Sequence, residues 1–257
     1  MTSQLWAAIA LGLIGLLATP LIHIAIRSLP SHFPVRRFGL NCATCGTRPE
    51  GTSRIGALAH VTGKSRCSTC GKRLWPDFGW LEVATVVFMA VAGWQLDWSL
   101  VLPAYAVFFL CAIAIAVIDL RQYIIPTKAV YLAVVAGLLN FALFCAVNGD
   151  WSRFTTAVLT MIGLRLFYFI FWFLFPAGMG YGDVRLATAV GLFTGWIGVG
   201  NAIIALFVGL LVSSMVGLFM VIVRMKTMKS ALPHGPFMLL GATVSILFAQ
   251  LWANVLA

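Results

Sequence analysis

The stretch VLPAYAVFFLCAIAIAVIDLRQYIIP, residues 101–126, decides what kind of protein this chain is. Residues 101–118 contain no charged side chain, and an aspartate, Asp119, follows them directly. About 20 apolar residues is the length that a helix needs to cross the hydrocarbon core of a membrane. A carboxylate beside such a run is costly, which favours a function for it. The stretch therefore predicts a membrane-spanning helix with a functional acid at its end.

The rest of the chain has the same character. It has 257 residues, of which 61% are hydrophobic and only 9% are charged, whereas a soluble domain carries about a quarter charged residues. The sequence predicts an all-α polytopic membrane helix bundle of about eight transmembrane helices. The sixth span is short and diluted by glycines. The predicted spans are roughly 5–26, 79–96, 99–118, 128–148, 154–176, 184–198, 200–223 and 236–256.

The basic residues predict how the bundle lies in the membrane. Of 17 lysines and arginines, nine lie in the polar stretch between the first and second spans. Positive charge is enriched on the cytoplasmic side, so we expect this stretch in the cytoplasm and both termini outside. The net charge of +10 is then a topology signal with contacts to lipid headgroups, and does not indicate nucleic-acid binding. We divide the chain into a first transmembrane helix (1–26), a cytoplasmic loop domain (27–78) and a transmembrane domain (79–257).

The loop domain contains two C-x2-C pairs with 21 residues between them, and a glycine follows each pair. Four thiolates in a tetrahedral arrangement suit a zinc ion, and a site closed by four protein ligands is structural. Two disulfides or unused thiols are the alternatives, although a cytoplasmic loop lies in a reducing compartment. The predicted zinc ligands are Cys42, Cys45, Cys67 and Cys70.

A second aspartate, Asp183, follows a glycine-rich turn in GYGD, residues 180–183. Asp119 and Asp183 lie at ends of predicted spans on the same face of the membrane. Two carboxyl groups within hydrogen-bond reach share a proton, so that one can activate water while the other polarises a peptide carbonyl. Gly180 and Gly182 let the backbone turn and let a peptide substrate approach closely. The simpler alternatives are that Asp183 caps a helix and that Asp119 is a helix-end charge.

These motifs resemble one known family. GMGYGDVRLATAVG (178–191), IDLRQYIIP (118–126), the cysteine quartet and HGPF (234–237) are similar to the type IV prepilin peptidases, membrane aspartic peptidases with a GxGD motif. The stretch TPLIHIAIRSLP (19–30) and the segment between the cysteine pairs depart from the family's usual pattern, and so do two positions near the aspartates. Arg185 stands where lysine is usual, and Thr127 stands where aspartate or asparagine is common.

The resemblance implies that Asp119 and Asp183 are the catalytic pair and that the cysteines bind zinc. It implies cleavage of the leader peptide of prepilins or pseudopilins at the cytoplasmic face of the bacterial inner membrane. Many members also N-methylate the new N-terminus with S-adenosylmethionine. The alternative functions are a GxGD peptidase for other membrane segments and a non-catalytic scaffold or transporter with a zinc loop.

Overall fold

The structure, a computed structural model, describes residues 2–29, 42, 45–47, 50–51, 64–74, 79–96, 99–176, 178–224 and 232–249. These residues form eight α-helices and no strand, which confirms the predicted all-α class. The helices are α1 Thr2–Ser28, α2 Trp80–Leu96, α3 Leu102–Gln122, α4 Thr127–Asn148, α5 Trp151–Leu174, α6 Tyr181–Ile197, α7 Val199–Ile222 and α8 Gly235–Leu247.

Five of these helices, α1, α3, α4, α5 and α7, are long and apolar enough to cross a membrane. Helices α2 and α8 are apolar but shorter, and α6 has 17 residues with two charged side chains in its first two turns. The chain is therefore a multi-pass membrane protein. Each predicted span corresponds to a helix, and the end predicted for the last span, 250–256, lies outside the described residues.

Helices α3 and α6 form the centre of the bundle. In the most apolar part of α3, 72% of the residues are buried, whereas the corresponding share in α5 and α7 is 11%. Nearly every residue of α6 from Asp183 to Trp196 is buried as well. Helices α5 and α7 thus present most of their surface to lipid, while α3 and α6 carry side chains that the bundle shields.

Aromatic side chains lock α3 and α6 together at one end. The rings of Phe108 and Phe193 stack with centroids 4.4 Å apart, and those of Phe141 and Trp196 with centroids 4.1 Å apart. The Tyr105 hydroxyl donates a hydrogen bond of 2.9 Å to the backbone oxygen of Phe193. These residues come from α3, α4 and α6, so one aromatic cluster fixes three helices.

Glycines allow α6 to pack closely on α5. A Cβ atom on Gly191 would lie 2.8 Å from Met161 Cα, and one on Gly195 would lie 2.5 Å from Thr160 Cβ. Small residues of this kind let membrane helices approach backbone to backbone. The glycines that dilute the sixth span in the sequence are therefore its packing surface against α5.

Candidate active site

Asp119 lies one turn before the end of α3 and is only 4% exposed. Its Oδ2 accepts a hydrogen bond of 3.1 Å from the backbone N–H of Gly235, the first residue of α8. The N-terminus of a helix carries unpaired N–H groups and a partial positive charge, which stabilise a carboxylate. Asp119 is therefore held by a second helix rather than lying at a free helix end.

Asp183 is the third residue of α6 and is 7% exposed. The N-cap of α6 is Gly180, so the interpretation of Asp183 as a simple N-cap residue is wrong. Its carboxylate lies back over the first turn, where the Gly180 backbone interacts with it. The other oxygen, Oδ1, is buried and has no hydrogen-bond partner among the described residues. A buried carboxylate oxygen without a partner is costly, so this atom is available for a substrate or water.

The fold brings the two aspartates, 64 positions apart in the chain, to one end of the bundle. Ile125, in the connection between α3 and α4, lies against the first turn of α6 and the first turn of α8. A Cβ atom on Gly182 would be 3.1 Å from Ile125 Cβ, and one on Gly235 would be 3.1 Å from Ile125 Cδ1. The two carboxylates also act on each other electrostatically. They form a pair across α3, α6 and the start of α8.

Close packing explains Gly182, whereas a Cβ atom on Gly180 would meet only ordinary contacts, the nearest at 3.6 Å from Asp183 Oδ2. Gly180 has φ −75° and ψ 142°, values open to any residue, so the turn before Asp183 does not require a glycine at this position. A side chain on Gly182 would press on Ile125, and one on Gly235 would come within 2.7 Å of Asp119 Oδ2. The role of Gly180 and Gly182 in binding substrate stays a prediction.

The four cysteines of the loop domain come together as the sequence predicts. Their sulfur atoms all lie within 4.8 Å of one another. The distances Cys42–Cys70 and Cys45–Cys67 are both 3.5 Å, too long for a disulfide bond of about 2.0 Å. Four sulfurs placed about 2.3 Å from a tetrahedral zinc ion would be about 3.8 Å apart. The cluster therefore has the size that a bound metal ion requires.

Both halves of this cluster have the same local structure. In each half, the glycine that follows the second cysteine donates its N–H to the carbonyl oxygen of the first cysteine. These hydrogen bonds, from Gly46 to Cys42 and from Gly71 to Cys67, are both 2.9 Å long. These glycines, Gly46 and Gly71, have φ of 74° and 70°, a conformation that favours glycine. The repeated turn explains why a glycine follows each C-x2-C pair.

Local hydrogen bonding and crowding shift the acidities of the thiols. The Thr47 hydroxyl, 3.3 Å from Cys45 Sγ, and then the Thr47 backbone lower the pKa of Cys45 to about 6. The backbone of Lys72 lowers the pKa of Cys70, but desolvation and the other three cysteines raise it to about 12. The thiolate of Cys45 therefore forms readily while that of Cys70 is disfavoured, and a cation among the sulfurs would favour both.

Comparison with known proteins agrees with this geometry. The sequence model described as "Type IV leader peptidase family" matches residues 106–222, which include both aspartates. A second model, "Bacterial Peptidase A24 N-terminal domain", matches residues 13–96, which include the four cysteines. The chain belongs to the type IV leader peptidase family. Our division of the chain at residues 26 and 78 stays a prediction.

Curated relatives carry one name, prepilin leader peptidase/N-methyltransferase. The protein from Pseudomonas putida is 25% identical over 216 residues, covering 81% of this chain and 72% of the relative. The protein from Legionella pneumophila is 25% identical over 218 residues, covering 83% and 72%. The protein from Burkholderia pseudomallei is 25% identical over 233 residues, covering 86% and 71%. No solved structure matches the chain.

The two positions near the aspartates that depart from the usual residues of the leader peptidase family contact each other. Arg185 on α6 donates a hydrogen bond from NH1 to the hydroxyl of Thr127, the first residue of α4. Its guanidinium also lies 5.2 Å from the centroid of the Tyr181 ring. A cation on α6 and a polar residue at the start of α4 thus hold the two helices together beside Asp183.

Three other polar residues of this leader peptidase find partners. The His23 ring nitrogen Nε2 lies 2.9 Å from Glu82 Oε1, so α1 and α2 are joined by a largely buried pair. Glu82 Oε2 also accepts a hydrogen bond of 2.6 Å from the Gly79 backbone. Glu82 therefore links α1 to α2 and to the residue just before its own helix. Arg165, inside α5, donates a hydrogen bond of 3.2 Å to the Thr188 hydroxyl on α6.

Sequence reasoning missed the donor that holds Asp119. The HGPF motif marks the region of Gly235, but a backbone N–H leaves no signal of its own in a sequence. It also missed Tyr168, which lies among phenylalanines in the run LFYFIFWFLF, residues 166–175. Only its burial and its contact with His234, just before α8, distinguish this tyrosine from its neighbours.

Proposed function

We propose that this protein cleaves the leader peptides of type IV prepilins or pseudopilins in the bacterial inner membrane, with Asp119 and Asp183 as the catalytic pair. The observation that carries the proposal is a pair of buried carboxylates at one end of an apolar bundle. One of their oxygens, Asp183 Oδ1, has no hydrogen-bond partner among the described residues. The names of the relatives supply the substrate class.

The surroundings of the two carboxylates suit different protonation states. Asp119 accepts a hydrogen bond from the first N–H of α8, which favours its ionised form. The Gly180 backbone interacts with the carboxylate of Asp183, but its buried Oδ1 has no donor among the described residues, which favours the protonated form. Two adjacent carboxyls share one proton most readily when their surroundings differ in this way. We assign the water-activating role to Asp119 and the acid role to Asp183.

Peptide hydrolysis then follows in two steps. Asp119 takes a proton from water as the water oxygen attacks the scissile carbonyl carbon, while Asp183 gives its proton to the carbonyl oxygen. The tetrahedral intermediate collapses when the proton on Asp119 passes to the leaving nitrogen. A proton then returns to Asp183 from the intermediate's hydroxyl group, which restores the carbonyl and the starting state of the pair.

The position of the aspartates sets where the substrate is cut. Both lie in terminal turns of their helices, at the bundle end to which the cysteine-containing connection between α1 and α2 leads. Water reaches helix ends more easily than the membrane centre, and charge costs less there. We place this end at the cytoplasm, because the connection from Arg27 to Pro76 holds nine of the 17 lysines and arginines. The polar leader would lie in the cytoplasm and the apolar helix among the spans.

The cysteine cluster is proposed to hold one structural zinc ion. The sulfur distances fit a tetrahedral site, and four protein ligands leave no open position for a substrate. When bound, zinc would stabilise the fold of a loop that has few large apolar residues. N-methylation of the new N-terminus with S-adenosylmethionine belongs to the same proposal, because the relatives are named for both activities.

Substitution of each aspartate tests the catalytic assignment. We expect Asp119→Asn and Asp183→Asn each to lower cleavage of a purified prepilin by about 10³-fold or more, because an amide cannot exchange the proton. Asp150→Asn is the matched control, since Asp150 caps α5 at the other end of the bundle. Near-normal cleavage by either variant would remove that residue from the pair. If Asp150→Asn folds normally but is also inactive, the loss of cleavage in the other two variants is not specific to the catalytic pair.

Mapping the product tests the substrate class. Mass spectrometry of the mature pilin should place the new N-terminus just before the apolar run, and one added methyl group would show methylation. A cut several residues inside the apolar run would favour a GxGD peptidase of broader scope. No cleavage of any prepilin by the intact protein would favour the scaffold or transporter.

Metal analysis tests the zinc site. We expect about one zinc ion per purified chain, lost in Cys42→Ser and in Cys67→Ser, because four thiolates make one site. Cys111→Ser is the control, since Cys111 is buried in α3. Absence of zinc in protein that contains two disulfides would overturn both the metal and the cytoplasmic placement of the loop.

A further inference from the structure

Two side chains outside the aspartate pair link the surroundings of both carboxylates. Tyr168 lies on α5 and is 2% exposed, and His234 directly precedes α8. The Tyr168 hydroxyl lies 3.3 Å from His234 Nε2, with ring centroids 6.0 Å apart. The hydroxyl donates this bond when the ring proton is on Nδ1. The fold therefore joins α5 to the start of α8 by a polar contact inside an apolar bundle.

His234 controls the position of the donor that faces Asp119. Its backbone oxygen accepts hydrogen bonds of 3.1 Å from the N–H groups of Phe237 and Met238, which makes it the N-cap of α8. The next residue, Gly235, donates its N–H to Asp119 Oδ2. A displacement of His234 would therefore move the Gly235 donor away from the carboxylate.

Tyr168 is fixed relative to Asp183. Helix α5 packs closely against α6, with its backbone against Gly191 and the Thr160 side chain against Gly195. The Tyr168 hydroxyl also lies close enough to Asp183 for the charge of that carboxylate to act on it. A buried hydroxyl is unfavourable without a hydrogen bond, so phenylalanine, its neighbour on either side, would serve packing alone at least as well. The hydroxyl therefore has a role beyond filling space.

We propose that Tyr168 and His234 are positioning residues of the aspartate pair. Their hydrogen bond ties the α5–α6 unit, which carries Asp183, to the first turn of α8, which donates to Asp119. The inference rests on the proposed function, since it requires the two aspartates to be the reacting groups.

The charges around this contact allow a test by pH. Desolvation lowers the pKa of His234, so its ring is neutral at neutral pH and adds no charge beside Asp119. Loss of the Gly235 donor would disfavour ionised Asp119 and move the acidic limb of the pH profile upward. The described part of α8 carries no charge. The elements around the contact carry titratable and charged groups at the carboxylate end and at the aromatic end. Those at the carboxylate end are Asp119 and Arg121 on α3, Arg165 and Tyr168 on α5, Tyr181, Asp183 and Arg185 on α6, and His234, whereas Tyr105 and Cys111 on α3 and Arg153 on α5 lie toward the aromatic end.

The experiment compares kcat and KM across pH for the full-length protein and a purified prepilin. In Tyr168→Phe we expect kcat to fall about three- to tenfold, the loss expected for one hydrogen bond, with KM within about twofold. The acidic limb should move to higher pH. His234→Gln, which keeps a polar group for the tyrosine, should retain more activity than His234→Leu.

Tyr105→Phe is the matched control, because it removes the same atom from a buried hydrogen bond at the other end of the bundle. It should lower the melting temperature about as much as Tyr168→Phe, with kcat within about twofold of the parent. Equal kcat values in the two variants, or a pH profile unchanged in Tyr168→Phe, would overturn the inference. The variants Asp119→Asn and Asp183→Asn are assayed in the same experiment to test the proposed function separately. If they abolish cleavage while Tyr168→Phe does not change kcat, the inference alone fails; if they cleave normally, the proposed function fails.

Discussion

The two ends of the α3–α6 pair have opposite chemistry. At one end, stacked rings of Phe108 and Phe193 and the Tyr105 hydrogen bond hold the helices together. At the other end, about 21 Å along α3 from Tyr105, Asp119 is buried, and so is Asp183 in the first turn of α6. The polar groups described at the aromatic end have partners, since Arg153 donates a hydrogen bond of 3.0 Å to the Trp196 backbone oxygen, whereas the carboxylate end keeps an oxygen without a partner among the described residues.

The difference shows how an apolar bundle can keep two costly groups together. Buried carboxylates that act on each other destabilise their own neighbourhood, so the contacts that hold them must come from elsewhere. The aromatic cluster provides such stabilising contacts at the opposite end of α3 and α6. The close packing of α5 on α6 provides further ones along the length of α6. We expect substitutions at the aromatic end to change stability and those at the carboxylate end to change cleavage.

The largest effect should follow a cavity in the aromatic cluster. Phe193 is fully buried and its ring contacts those of Tyr105, Phe108 and Phe141. Phe193→Ala should lower the free energy of unfolding by about 3 kcal/mol, because the lost contacts leave a cavity. Unfolding in mixed micelles of increasing denaturing detergent, followed by circular dichroism, measures it. Phe173→Ala, at a position 70% exposed to lipid, is the control, and an equal loss there would contradict a packed aromatic end.

The second effect should appear in cleavage. A Cβ atom in Gly235→Ala would lie 2.7 Å from Asp119 Oδ2, so the carboxylate or the first turn of α8 must move. A misplacement of about 1 Å costs about 10²-fold in rate, and we expect that loss in kcat. Gly163→Ala, where a Cβ meets nothing within 4 Å, should cleave normally. Normal turnover by Gly235→Ala would show that the contact with Asp119 does not set the reactive geometry.

A third substitution tests whether α5–α6 packing serves both ends. A Cβ atom in Gly191→Ala would lie 2.8 Å from Met161 Cα. Because Cα is a backbone atom, a change of side-chain rotamer cannot relieve this clash. Overpacking of this kind costs about 1–3 kcal/mol, and we expect a loss of stability in that range with a smaller fall in cleavage than in Gly235→Ala. The same unfolding and cleavage assays report both. Gly217→Ala, with its nearest contact at 3.6 Å, serves as the reference, and similar results for the two glycines would argue against close packing.

The smallest effect should be a gain at the carboxylate end. Thr127→Asp would give Arg185 a charged partner in place of a hydroxyl and should raise the free energy of unfolding by about 0.5–1 kcal/mol. The gain should shrink at high salt. A double-mutant cycle with Arg185→Gln isolates the pair. A gain that persists without the arginine would mean that Thr127→Asp acts through the helix N-terminus instead.

The helices and the candidate residues were predictable because their signals are local. A run of apolar residues predicts a span from its length alone, and each of the eight predicted spans corresponds to a helix. The spacing of the cysteines within and between their pairs predicted a four-sulfur cluster, which the structure contains. The costly placement of Asp119 and Asp183 beside apolar runs singled them out before any contact was known.

The contacts between distant segments were not predictable in the same way. The sixth span looked weakened by its glycines, yet Gly191 and Gly195 are its contact surface with α5. Periodicity and composition describe one helix at a time, and cannot say which face meets which neighbour. The pairing of Arg185 with Thr127 likewise depends on how α4 and α6 are arranged.

The sequence by itself determined that this protein is a bundle of membrane helices with two acids at helix ends and a cysteine quartet in a polar loop, because length, hydropathy and spacing are properties of the chain. The tertiary structure alone decided that the Gly235 N–H holds Asp119, that Tyr168 meets His234, and that one oxygen of Asp183 is left without a partner among the described residues. The reason is physical: hydrogen bonds form between atoms about 3 Å apart, and residues 66 to 116 positions apart reach that distance only through the packing of the helices.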